Sequence, residues 1–377
     1  MIQSQRHLFD IPDDIVYLNC AYMSPQLRSV SEAGSAGAAR KERPWQISAD
    51  DFFTQSETTR SLFAKLIEAR ADDIAVIPAA SYGVAVAATN IDLQAGDEIV
   101  VLEEQFPSNV YPWREAAKDN FARVNTVARP ADDDWTRAIL AVINEKTAVV
   151  AVPNCHWTDG SFVDLVKIGK RCKETGTALV VDATQSLGAL PFSVQKIQPD
   201  FLIAASYKWL FGPYSLGFLY VSPAYQAGRP IEHNWIGREN SQDFAGLVNY
   251  RDQFQKGARR YDVGERSNFA LMPMAAAALQ QISEWQVPAI AETLSGLTKQ
   301  IASRATDLSL SVAPSHLRAG HLLGVRFPKG VPMALVDRLS QNNIYVSVRG
   351  NSIRISPHLY NTQQDLDKFF DVLEAAL

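Results

Sequence analysis

The chain reads as an α/β protein: a large domain on a mostly parallel central sheet, with a smaller α+β domain toward the C-terminus. Three observations carry this reading. From about residue 70 to about residue 222, short apolar runs alternate with amphipathic stretches, the rhythm of strand–helix layering. The apolar runs are rich in Val, Ile, Leu and Ala and do not alternate with polar residues. Strands buried on both faces by covering helices read that way. After about residue 270 the texture changes to one long apolar helix, shorter strands and a final amphipathic helix.

Taken in order, strands are expected at Ile74–Ile77, Glu98–Leu102, Thr147–Val152, Thr177–Val181, Phe201–Ala205 and Leu216–Val221. Helical patterns lie between several of them, at Ser81–Asn90 and Phe162–Thr175. Gly176 is placed to close the second as a left-handed C-terminal residue. Leu271–Trp285 reads as a buried helix and Gln363–Leu377 as an amphipathic one. Residues 20–265 are expected to form the large domain, and residues 1–19 together with 266–377 the small one. No internal repeat or low-complexity tract interrupts the chain.

Composition excludes several function classes. The 377 residues are 47% hydrophobic and 20% charged, an ordinary globular mix. The formal net charge of −5 argues against a nucleic-acid partner, which needs clustered Lys and Arg to displace counterions. Cys20, Cys155 and Cys172 are odd in number and form no CxxC pair. That speaks against a disulfide framework or a metal site and fits a reducing compartment. Met1–Asp14 is polar and lacks the apolar region of a signal peptide, and no run is long enough to span a bilayer. A cytoplasmic enzyme with no membrane or nucleic-acid partner is therefore expected.

The informative segment is VVDATQSLGALPFSVQKIQPDFLIAASYKWLFGPYSLGFLYV, Val180–Val221. One apolar strand ends in Asp182, and a second ends in Ser206-Tyr207-Lys208. Ligands of open α/β sheets sit beyond the carboxyl ends of the strands, so both residues can face one crevice. Pyridoxal 5′-phosphate (PLP) chemistry wants this pair. A lysine amine forms a Schiff base with the cofactor aldehyde, and a carboxylate holds the proton on the pyridine nitrogen. Tyr207 and Trp209 flank the lysine and desolvate its amine, which favours the neutral nucleophile. Taken as structure alone, Asp182 caps a helix and Lys208 is a solvated loop lysine.

With these motifs the sequence resembles the class V aminotransferase group of fold-type I PLP enzymes, which includes cysteine desulfurases, kynureninases and isopenicillin N epimerase-like proteins. The resemblance covers nearly the whole chain and implies roles residue by residue. Lys208 would be the Schiff-base lysine and Asp182 the partner of the pyridine nitrogen. Gln185, in DATQ, would hydrogen-bond the phenolic oxygen, and Ser206 and Tyr207 the phosphate. In PAASYGVAVAA, Ala80 and Ser81 would offer N–H groups to the phosphate at a helix N-terminus. Phe106, in EQFPSNVYPW, occupies the ring-stacking position; the FPS sequence is similar to kynureninases, whereas cysteine desulfurases have histidine there. His156, in PNCHWTDG, would lie near the phenolic oxygen. In RYDVGERSNF, Arg266 or Ser267 would reach across a homodimer to the neighbour's phosphate, and Trp235 in HNWIG would reach across similarly. Arg354, in NSIRISPHLYNTQQDLD, would fork onto the substrate α-carboxylate, with Asn19 in YLNCAYMSP as a second contact. Arg349 is a nearby charge without an implied role.

The resemblance implies an α-amino acid substrate and leaves open which bond at Cα breaks. The region 330–351 contains no cysteine, which argues against persulfide-forming desulfuration. An aminotransferase is the first expectation. A lyase or hydrolase, acting by C–S elimination or kynureninase-like Cβ–Cγ cleavage, is the alternative, and Phe106-Pro107-Ser108 leans that way. Of other classes, a nicotinamide oxidoreductase lacks its GxGxxG turn, and a non-catalytic PLP-fold binding protein is opposed by the intact Lys208–Asp182 pair.

Overall fold

All six apolar runs become strands of one sheet. In the computed structural model, which describes residues 1–377, the strands are β1 (Val16–Tyr17), β2 (Ile74–Ile77), β3 (Glu98–Leu102), β4 (Arg123–Val127), β5 (Thr147–Pro153), β6 (Ala178–Asp182), β7 (Phe201–Ala205), β8 (Gly217–Val221), β9 (Leu323–Arg326), β10 (Ile344–Tyr345), β11 (Ser347–Arg349) and β12 (Ser352–Ile355). The α-helices are α1 (Arg28–Ala39), α2 (Asp51–Leu66), α3 (Ala80–Asn90), α4 (Tyr111–Asp119), α5 (Trp135–Val142), α6 (Leu165–Thr175), α7 (Val194–Ile197), α8 (Leu271–Trp285), α9 (Val287–Asp307), α10 (Met333–Gln341) and α11 (Gln363–Glu374). None of them is long and apolar enough to cross a membrane.

The large sheet has seven strands in the order β2-β8-β7-β6-β5-β3-β4. From β7 to β4 every pairing is parallel, and β8 is antiparallel to both neighbours. The physical reason is connection length. A parallel crossover takes a dozen or more residues, and the segment 206–216 between β7 and β8 is too short for one, so the chain returns antiparallel. That short return is the segment that carries Lys208.

Both faces of the sheet are covered, which is why its strands are continuously apolar. Val150, Val181, Leu202 and Phe218 face one core cluster, with Phe63 of α2 and Met272 and Leu279 of α8. Val149, Val180, Ile203 and Leu219 face a second, with Val84 and Ala87 of α3 and Trp113 of α4. Gly83 lets α3 lie close to the sheet, since a Cβ there would stand 2.8 Å from Ile203 Cγ1. The edge strand β4 is mostly exposed or half-buried; its polar sequence RVNTV has no apolar run and was not among the expected strands. Gly176 takes the left-handed conformation at the end of α6, with φ 70°.

The small antiparallel sheet has the order β11-β12-β9. Val16, Leu18, Val325, Ile353, Ile355 and Phe370 share the C-terminal core cluster with the last turns of α9. Residues 266–377 divide between two cores. Helix α8 and Ile290 and Leu294 of α9 pack with the sheet, whereas Ile301, Ala302 and Ala305 of the same α9 pack with the C-terminal elements.

Candidate active site

A cavity of about 270 Å³ opens at the carboxyl ends of the parallel strands. Pro153, Asp182 and Ala205, the last residues of β5, β6 and β7, line it side by side. Leu216, just before the antiparallel β8, lines it as well, because β8 runs the opposite way and presents its start to the same edge. The N-terminus of α3 and the loop after β3 complete the wall with Ala80, Ser81, Gln105 and Phe106.

Lys208 is only 6% exposed. Burial pulls its ammonium pKa from 10.5 down to about 8; Asp182 opposes this, and the charges of Arg354 and Arg349 assist it. The amine lies 5.4 Å from the Phe106 ring centroid and 5.5 Å from that of Tyr207. The turn that carries it is strained: Phe211 and Ser215 sit at φ 53° and 63°, a region non-glycine residues seldom occupy. It is held by Phe211 N–H to Lys208 O at 3.1 Å and Gly212 N–H to Ser206 O at 2.9 Å.

This arrangement passes a test of fit for PLP. The first-turn N–H groups of α3 have no intrahelical acceptor, and no side chain caps them, so Ala80 and Ser81 leave donors for a phosphate. Asp182 is buried and accepts only the Thr184 N–H, at 3.0 Å, leaving acceptor capacity for a protonated ring nitrogen. Phe106 offers an apolar face beside the amine.

The other expected residues lie at varying distance from this cavity. Gln185 lines it, with its amide engaged: Nε2 donates to Ala21 O at 3.0 Å, and Oε1 accepts from Trp209 Nε1 at 2.9 Å. Tyr207 lines it and packs on Tyr214 at 4.7 Å. Ser206 lies behind the wall, its hydroxyl donating to Pro213 O at 2.5 Å. His156 is fully buried, stacked on Trp135 at 5.2 Å, with Nε2 3.1 Å from Glu103 O. Its ring is thereby held off the cavity, and burial lowers its pKa. Arg354 and Asn19 meet through Ser347, whose hydroxyl donates to Asn19 Oδ1 at 2.8 Å and stands 3.5 Å from Arg354 Nη2. Trp235 joins an aromatic group with Phe52, Phe53 and Phe244. Arg266 is buried on Asp262, at 2.5 Å, and neither it nor the half-buried Ser267 reaches the cavity of its own chain.

Sequence reasoning did not place Trp157, Cys155, Asn109, Thr184 or Tyr214 at the site, and all of them line the cavity. Trp157 meets Phe106 edge-on at 5.6 Å, and its carbonyl accepts from Arg354 Nη1 at 2.7 Å. Its place directly after His156 was the available signal; the tryptophan, not the histidine, faces the cavity. Burial pushes the thiols of Cys155 and Cys20 above their ordinary range, so neither is a ready thiolate.

The chain matches the family Aminotransferase class-V over residues 35–369. An uncharacterized aminotransferase, YcbU, of Bacillus subtilis (strain 168) is 27% identical over 326 residues, covering 85% of this chain and 84% of that protein. A probable cysteine desulfurase of Pyrococcus abyssi is 25% identical over 345 residues, covering 84% and 82%. Among solved structures, apo cysteine desulfurase from Thermococcus onnurineus superposes with TM-score 0.85 at 20% identity, covering 100% of this chain and 98% of the other. A mutant of C-DES with glycine covalently linked to its PLP cofactor superposes with TM-score 0.86 at 18% identity, covering 98% of each. At these identities the structural likenesses establish the fold.

Proposed function

The chain belongs to the class V aminotransferase family, and from that premise we propose that it is a PLP-dependent aminotransferase acting on an α-amino acid. The observation that carries this reading is the buried Lys208 amine, with its pKa near 8, in one cavity with Asp182 and the Phe106 ring. When bound, PLP supplies an aldehyde that condenses with amines and a ring that withdraws electrons from Cα.

The remaining chemistry belongs to this chain. The N-terminus of α3, with Ala80 and Ser81, anchors the phosphate. Asp182 would hold the proton on the ring nitrogen, and Phe106 would offer a face for the ring to stack on. Arg354 orients the substrate by its α-carboxylate. With PLP bound, Lys208 would be the residue that takes and returns the proton at the substrate Cα. A pKa near the working pH lets one amine both take and return that proton. No histidine lines the cavity, so a reaction that needs a single proton carrier is favoured. In the homodimer reading, the region of Trp235, Arg266 and Ser267, which lies off the cavity of its own chain, serves a second copy.

A C–S or Cβ–Cγ lyase is the second reading, favoured by the Phe106-Pro107-Ser108 motif at the ring-stacking position. Visible absorption of the PLP-loaded protein, with amino acids added one at a time and no keto acid present, separates the two. An aminotransferase exchanges its visible band for a stable shorter-wavelength spectrum within one turnover. A lyase keeps the band while keto acid accumulates over many turnovers. Lys208→Ala is expected to lose the lysine-dependent band, and a wild type that stays colourless with added PLP overturns the whole reading.

A further inference from the structure

Two arginines on one hairpin have no carboxylate partner. The register of β11 and β12 sets Ser347 opposite Arg354 and Arg349 opposite Ser352. Residues opposite each other, and residues two apart, share a sheet face. Arg349, Ser347 and Arg354 therefore stand on one face, with the two arginines as diagonal neighbours about 7–8 Å apart at the backbone. The other face is core: Ile353 and Ile355 belong to the C-terminal cluster, and Val348 packs against it. The turn between the strands is Gly350-Asn351. Gly350 takes φ 53° with nothing near its Cβ position, so backbone conformation alone calls for glycine there.

The arginine face is tied to the active site through Trp157. Arg354 Nη1 donates to Trp157 O at 2.7 Å, and the Arg349 guanidinium lies 5.2 Å from the Trp157 ring centroid. That ring meets Phe106 at 5.6 Å, and Phe106 lies 5.4 Å from Lys208 Nζ. The aromatic pair thus spans from the reacting amine to Arg349, and the stacking holds the guanidinium in place.

Both cations lack a counter-charge. Arg354 meets neutral oxygens only, and its Nε is buried without a partner. Arg349 donates to Val348 O at 2.7 Å, and its Nε is also buried without a partner. Arg349 borders a side cavity that adjoins the Lys208 cavity at Trp157-Thr158 and Glu104-Gln105, and the acids that border it are already engaged. Glu104 pairs with Arg129 at 2.9 Å; Asp159 pairs with Arg129 at 2.7 Å and with Arg326 at 3.2 Å. Like charges held together in a partly desolvated site are unfavourable until an anion joins them.

We propose that Arg349 and Arg354 together select a dicarboxylate, Arg354 taking the α-carboxylate and Arg349 the side-chain carboxylate of an acidic α-amino acid or its keto-acid counterpart. This rests on the amino-acid reading above and adds the substrate class to it. A guanidinium fork suits each carboxylate, and Trp157 sets the spacing between the two. A neutral side chain would leave Arg349 uncompensated.

The test is calorimetric titration of the PLP-loaded protein with glutarate and with butyrate, which carry no amine. Wild type is expected to bind glutarate at least tenfold more tightly than butyrate. Arg349→Gln is expected to bring that ratio close to one through loss of glutarate affinity, and Arg349→Lys to keep part of it. Equal affinities in the wild type overturn the proposal, as does an Arg349→Gln protein that weakens both acids alike. The response of the visible band to alanine and glutamate separates the two levels. If either amino acid changes the band but glutarate is not preferred, the dicarboxylate inference alone falls. If no amino acid changes the band, the amino-acid reading falls and takes this inference with it.

Discussion

At the residue scale, the decisive quantity is the proton affinity of Lys208. Burial lowers it, and Arg354 and Arg349 lower it further, while Asp182 acts the other way. The neutral amine is the nucleophile, so its fraction rises with pH through the folded-state pKa. The rate at which cofactor-free protein acquires the lysine-dependent visible band is therefore expected to rise with pH to a midpoint near 8. Arg349→Gln removes a repelling positive charge and should move the midpoint up. Asp182→Asn removes a stabilising negative charge and should move it down. A stopped-flow pH series checks all three, and a midpoint close to that of a free lysine would show that burial does not tune this amine. The same scale marks the limit of motif reading. Asp182 and Lys208 were legible because they come at or just after the ends of apolar strands, and Phe106 only through its motif's resemblance to the family. Trp157 was not, because its neighbour His156 carried the more familiar chemistry.

At the scale of elements, the site depends on two loops held against each other. The loop after β6 runs from Asp182 through Gly188, and the turn after β7 carries Lys208 and Trp209. Gly188 sits at φ 94°, and a Cβ there would stand 2.2 Å from Trp209 O. Gly188→Ala thus combines a disfavoured backbone with a clash against main chain that cannot swing away. It is expected to destabilise the fold by roughly 2 kcal/mol or more and to weaken cofactor retention in parallel. Urea unfolding followed by far-UV circular dichroism and by the visible band measures both. Unchanged stability would mean that the two loops have room to separate. Sequence placed the surrounding strands within a residue or two, because strands covered on both faces have no polar interruptions. It did not reveal β4, whose exposure removes that signal, or the antiparallel return of β8, which follows from the length of the connection.

At the scale of the whole molecule, α9 joins two cores. Ile290 and Leu294 pack with the large sheet, and Ile301 and Ala305 pack with the C-terminal elements that carry Arg354. One continuous helix between them couples the stability of the hairpin that carries Arg349 and Arg354 to that of the Lys208 cavity. Ile290→Ala and Ile301→Ala should each cost about 2–5 kcal/mol. Both should lower the temperature at which the visible band is lost, although Ile301 lies in the other core. Thermal scans that follow secondary structure and the visible band together test this. If Ile301→Ala moves the first signal and leaves the second in place, the cores unfold separately.

The sequence by itself determined the α/β class, the sheet strands of the large core, the lysine–carboxylate pair and hence the cofactor. Each of these is written in local pattern: apolar runs, an Asp at the end of one strand, a Lys just beyond another. Only the tertiary structure decided which residues share the cavity. Trp157 faces it while His156 turns toward Trp135, Ser206 is spent on a backbone carbonyl, and Trp235 and Arg266 lie elsewhere on the chain. It also set Arg349 beside Arg354, since two residues five apart share a face only when a hairpin register pairs their strands. Orientation and pairing depend on contacts between segments distant in sequence, and no local pattern encodes them.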